Sequence, residues 1–178
     1  MKNQKVMAAA LALLALGVLT QTAPRPARAA GAQGDEAALA EALKRLEKTL
    51  TRHGSKVSAG VVRRFDAKDF RGCKITYELT PQVAPDHKGF VPFTERTVID
   101  LSTLDPARVE ARGSGDKGAA VGFVTRDGRA TIERRMSGEP HAFGEASWLR
   151  AHHISLTSRA AAEEARAALA RAAELCGR

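Results

Sequence analysis

The sequence predicts an α+β domain: an N-terminal helix, about seven antiparallel strands curled into a half-barrel or sandwich, and a closing C-terminal helix. Short runs of alternating apolar and polar residues recur between Lys56 and Thr157, separated by Gly, Pro and Asp turn signals. Long segments of helical period stand only at the two ends of the chain. The regular exchange of strand and helix that marks a parallel sheet is missing.

Residues 1–30 read as a signal peptide. Lys2 and Lys5 precede an apolar run from Val6 to Leu19, and Ala27-Arg28-Ala29 supplies the small-residue ending. At about 14 residues the run is short of the ~20 that a spanning helix needs, so no membrane span is expected after cleavage. Removing these 30 of 178 residues leaves 148, enough for one domain with a core. The leader carries four basic residues and no acids, so the formal charge falls from +8 to +4. A mildly basic surface of mixed sign does not suit a nucleic-acid partner. The reading implies export to a periplasmic or secreted location, where two cysteines without C-x-x-C spacing are placed to form a disulfide. Cys73 and Cys176 are therefore expected to be bonded, the alternative being two separately buried thiols.

Residues 31–54 make a leader and helix. Asp35 offers an N-cap, and Leu39, Leu43, Leu46 and Leu50 fall on one stripe that Gly54 ends. The stripe can dock on the domain's own sheet or seat a partner helix. Residues 55–178 hold the β-rich part. Val57, Ala59 and Val61 alternate, and Phe65 and Phe70 bracket a charged turn at Asp66–Asp69. The next strand places Cys73, Ile75, Tyr77 and Leu79 on its inner face. Thr80 to Pro92 reads as a long loop, and Thr97, Ile99 and Leu101 share the face of the following strand. Pro106 opens a strand over Arg108–Arg112. Asp127-Gly128 joins Ala119–Arg126 to Arg129–Met136 as a hairpin. Trp148 to Thr157 makes the last strand, with Trp148, His152, Ile154 and Leu156 inward. Ser158 caps an alanine-faced helix, Arg159–Cys176.

Seven strands and a closing helix over about residues 56–176 resemble the pleckstrin-homology-like barrel. The phrases Phe70–Tyr77, Val98–Pro106 and Ala168–Gly177 are similar to those of uncharacterised exported bacterial proteins. That resemblance implies the Cys73 to Cys176 bond and carries no activity. Pleckstrin-like domains bind lipid head groups or peptides; Arg63, Arg64, Arg71 and Lys74 could form a basic patch of that kind or a solvated face.

No catalytic constellation stands out, so no enzyme activity, cofactor or metal is expected. The serines lie in no G-x-S-x-G elbow. None of the five histidines has metal-ligand spacing, and His152 and His153, adjacent in a strand, point to opposite faces. Asp66 and Asp69 lack further oxygen ligands for calcium. Gly113–Gly118 lacks the order of a phosphate loop. With one Trp, one Tyr and six Phe, and Phe65, Phe70, Tyr77, Phe123 and Trp148 assigned inside, Phe90 and Phe93 are two of the three left over and stand in the Pro-rich loop, placed for contact. The expected function is a non-enzymatic binding module that meets an envelope protein or ligand through Phe90 and Phe93 or an open sheet edge. The alternative is a structural or assembly subunit that uses the Leu39–Leu50 helix, and an enzyme of unknown class is the third reading.

Overall fold

The computed structural model describes residues 27–58, 61–82, 93–113, 118–138 and 146–178. Nearly all of the segment read as a signal peptide lies outside them, as do Phe90, His87 and His141. The first helix, α1, spans Ala27–His53 and so begins before Asp35. Alanine-rich sequence carries it through Gly31 and Gly34, each of which costs only about 1 kcal/mol in a helix. Asp35 is not its cap; the carboxylate accepts from Arg178 Nη1 at 3.4 Å.

Nine strands follow among the described residues: β1 Ser55–Ser58, β2 Val61–Arg71, β3 Lys74–Gln82, β4 Thr94–Asp100, β5 Glu110–Arg112, β6 Ala119–Val124, β7 Ile132–Ser137, β8 Ser147–Leu149 and β9 Ala151–Leu156. Six form one antiparallel sheet in the order β1-β2-β3-β4-β7-β8, and three form a second in the order β5-β6-β9. Two 3-10 turns, Leu101–Thr103 and Pro106–Arg108, separate β4 from β5. Asp100 and Asp105 cap them by accepting from Ser102 N and Ala107 N. The curled six-stranded sheet, the smaller sheet and the C-terminal helix are the expected α+β architecture, compatible with a pleckstrin-homology-like barrel.

Further local readings change, beginning with Pro106, which opens a 3-10 turn and not the strand expected over Arg108–Arg112. The charged segment Asp66–Asp69 is no turn; it belongs to β2, which runs on with a bulge between Ala67 and Asp69. Lys68 pairs with Asp66 and Glu78, and Arg71 with Asp69, so the charges are accommodated on a solvated strand face. The turn falls instead at Gly72, whose φ of 55° suits glycine. The Asp127-Gly128 turn forms, but its flanks do not pair: β6 lies between β5 and β9, and β7 between β4 and β8. Other segments claim the residues after β6. Thr125 N donates to Arg150 O at 2.8 Å, and Arg126 N to Thr103 O at 2.7 Å. Finally, the strand expected from Trp148 to Thr157 breaks at Arg150 into β8 and β9, which join different sheets. Trp148 pairs with Glu133 and is 56% exposed, while Ile154 and Leu156 are buried.

The closing helix, α2, spans Arg159–Cys176, with Ser158 Oγ accepting from Ala161 N at 3.2 Å. Its buried alanines admit α1 on one side and the smaller sheet on the other. Leu43, Leu46 and Leu50 are buried and Leu39 partly so, packed between α2 and β2 within the chain's own core. Burying a leucine of this kind contributes roughly 2 kcal/mol. Gly54 must be glycine, since a Cβ there would lie 2.4 Å from Leu50 O and 2.7 Å from Phe65 Cβ. Cys73 and Cys176 are bonded, their Cα atoms 5.5 Å apart, fastening the β2–β3 turn to the end of α2.

Candidate functional site

Strand register gives the concave face of the large sheet two chemically different ends. Odd-numbered residues of β3 and β4 point inward, and Ile75 faces Ile99 near the disulfide. One pair further, Tyr77 faces Thr97, which faces Arg134 of β7; one further again, Leu79 faces Glu95. The smaller sheet covers this row with His152 of β9, whose neighbour Phe123 meets its ring edge-on at 5.8 Å. The polar end therefore gathers Lys56, Tyr77, Glu95, Arg134 and His152 around a cavity of about 60 Å³, with Ser55, His153 and Ser155 at its mouth.

Burial decides the protonation states here. Glu95 is 1% exposed, and its Oε2 accepts from Lys56 Nζ at 3.0 Å. Tyr77 O–H and His152 Nε2 lie 2.7 Å apart. Burial pushes the Tyr77 hydroxyl far above its usual range, and burial pulls the imidazole down to about 4 against the opposing charge of Glu95. At neutral pH the phenol therefore keeps its proton and the ring is uncharged, the direction of the bond between them following the imidazole tautomer. The Thr97 hydroxyl beside Tyr77 eases that rise, although its Oγ1 makes no hydrogen bond of normal geometry among the described residues. Glu95 Oε1, Arg134 Nε and Arg63 Nε are likewise buried without a partner among them. Arg63 packs its guanidinium 3.6 Å over the Phe93 ring, and burial lowers its pKa against the attraction of Glu95.

The residues singled out in the sequence go elsewhere. Phe93 is engaged by Arg63 at the foot of β4, and Phe90 lies outside the described residues. The basic set is divided: Arg63 points inward and is buried, whereas Arg64, Arg71 and Lys74 are exposed, Arg71 in a 2.7 Å pair with Asp69. His53 Nδ1 meets Thr157 Oγ1 at 3.1 Å, away from the cavity. Among the described residues no group of three or more His, Cys, Asp or Glu could hold a metal, and no helix is long and apolar enough to cross a membrane.

The sequence does not single out Glu95, Lys56 or Arg134, because charged residues ordinarily face solvent. Parity held the signal: Glu95 shares the phase of Ile99, and Arg134 that of Ile132. For Lys56 the phase itself was misread. Val57 and Val62 pair on the outer face, and Val57 is 70% exposed, which turns Lys56 inward.

The small sheet ends at β9 and the large one at β1. They meet through a single bridge, Gly54 to Leu156, with Thr157 N donating to His53 O at 2.9 Å. Beyond that tie no ladder joins them among the described residues. A surface groove of about 590 Å³ opens at this seam and extends over the smaller sheet, lined by Ser55 and Val57, by His153, Ser155 and Thr157, and by Arg112, Gly113 and residues 118–120. No protein-family model, curated protein or solved structure matches the chain.

Proposed function

We propose that this chain is a non-enzymatic binding module that works in the periplasm or outside the cell and takes an extended partner segment at the seam between β1 and β9. The single observation that carries the reading is the pair of strand edges, one from each sheet, that meet at one bridge and then flank a groove. Unpaired edge N–H and C=O groups bind an added strand by main-chain hydrogen bonds, while neighbouring pockets select side chains. The disulfide and the basic-apolar leader support the oxidising compartment. The chemistry of the polar row favours binding over acid–base catalysis. His152 is neutral well below physiological pH and Tyr77 stays protonated well above it, so neither is poised to exchange protons near neutrality.

Site-directed photo-cross-linking in intact cells tests the seam. A photoreactive residue is placed in turn at Val57 on β1, at Phe90 in the Pro-rich segment, and at Trp148 on the outer face of β8. An adduct formed from position 57 and absent from 148 is expected. A silent position 57, or adducts from 90 alone, overturns the seam in favour of that segment.

A further inference from the structure

The groove and the polar cavity adjoin, Ser55, His153 and Ser155 lining both. Inside stand two ionic groups whose hydrogen-bonding capacity is incompletely used. Glu95 spends Oε2 on Lys56 and keeps Oε1 without a partner, and Arg134 keeps Nε without one, among the described residues. Leaving buried ionic groups unmet is costly, whereas a ligand that satisfies both gains charge-assisted hydrogen bonds.

Charge and size narrow the ligand. Lys56 and Arg134 outweigh Glu95 by one positive charge, His152 being neutral. A simple cation would meet the two basic side chains, and a simple anion would leave Glu95 Oε1 unmet beside it. A carboxylate with an N–H or O–H on the adjacent carbon satisfies both: its oxygens accept from Arg134 and Lys56, and the neighbouring donor reaches Glu95 Oε1. One water needs roughly 10–15 Å³, so the cavity of about 60 Å³ suits a ligand group of only a few heavy atoms. Glycolate and a terminal glycine are of that size.

We propose that the cavity behind the seam binds a carboxylate carrying an adjacent hydrogen-bond donor, supplied by a small hydroxy or acylamino acid or by the C-terminus of a polypeptide lying in the groove. Only the polypeptide source rests on the seam reading above; the cavity can bind a free acid without it.

The test is an NMR shift titration of the intact, disulfide-bonded protein. The probes are glycolate, acetate, N-acetylglycine, N-acetylglycinamide, and acetyl-Ala-Ala-Ala-Gly as free acid and as amide. N-acetylglycine and glycolate are expected to bind about tenfold tighter than acetate, and each free acid about tenfold tighter than its amide. Glu95→Gln should erase the preference over acetate, and Arg134→Met the preference over amides. Lys56→Met, at a half-exposed position, gives a second reading of the carboxylate contact if Arg134→Met does not fold. If the tetrapeptide acid gains about tenfold over N-acetylglycine, the C-terminus is the source. If it gains nothing while the small acids bind, the cavity stands with a free acid as its ligand and a C-terminus is excluded as the source, the seam itself being decided by the cross-linking from position 57. Equal binding of acids and amides, or no shifts around the cavity at tens of millimolar, overturns the proposal.

Discussion

The two ends of the half-barrel are built on the same strands and differ in what they place inside. Toward the disulfide the inner rows hold Ile75, Ile99, Leu101 and Ile132, closed by Leu169 of α2, all fully buried. Two residues along the same strands, the rows become Tyr77, Thr97 and Arg134, then Glu95 and Lys56, beneath His152. One end is a dry core held by a covalent clamp; the other is a polar chamber beside a seam tied by one bridge. The contrast teaches where stability and recognition are divided in this fold: conformational constraint is concentrated at one end, and unmet hydrogen-bonding capacity at the other.

Breaking the clamp is expected to have the largest effect. Cys73 and Cys176 close a loop with a sequence separation of 103, which in the chain-entropy model stabilises by up to about 4.7 kcal/mol. The double variant Cys73→Ser with Cys176→Ser should lose about 4 kcal/mol in urea unfolding. A loss below about 1 kcal/mol would mean that the dry end holds without it. Intact mass after alkylation of the unreduced protein should show no free thiol.

The polar end is expected to fail first in acid. His152 carries a pKa of about 4 against 6.5 in the unfolded chain, so the unfolded state binds the extra proton between those values and stability rises with pH there. The contribution is complete above about pH 6.5 and lost as pH falls to about 4, a span worth about 3 kcal/mol. His152→Gln should flatten this part of the stability profile. Tyr77 acts in the opposite sense: its raised pKa means that stability is lost as pH climbs above the unfolded value near 10. Denaturant midpoints measured across pH separate the two groups.

Removing one partner of the buried pair is a smaller break. Glu95→Ala leaves Lys56 without its acceptor and opens space beneath Tyr77, for an expected loss of about 2 kcal/mol at neutral pH. Glu95→Gln keeps the shape and should cost less. A loss from Glu95→Ala as large as that of the clamp would place a main structural anchor in the chamber.

How far each end was legible in the sequence follows the same division. Cys73 and Cys176, the alternation of Ile75, Tyr77 and Leu79, and the Ser158 cap depend on local pattern and compartment, and they read correctly. The chamber depends on charged residues turned inward by strand parity, on a phase change between Val57 and Val61, and on strands from two sheets meeting at a seam. Polarity argued against the first, and the others are tertiary. The Asp127-Gly128 turn illustrates the limit: its local chemistry was right, yet long-range bonds to Arg150 and Thr103 sent its flanks to different sheets.

Trp148 offers the smallest effect and a direct check on where the dry end stops. The alternation from Trp148 through His152 places the indole inside, but the bend at Arg150 moves it to β8, opposite Glu133 on the outer face. Exposed side chains away from special features change stability by less than about 0.5 kcal/mol, so Trp148→Ser should leave the unfolding midpoint almost unmoved. As the single tryptophan of the chain, it also reports on itself: its emission should be that of a water-exposed indole in the folded protein and shift little on unfolding. A blue-shifted native emission, or a loss approaching that of a core truncation, would return Trp148 to the interior and extend the apolar end across β8.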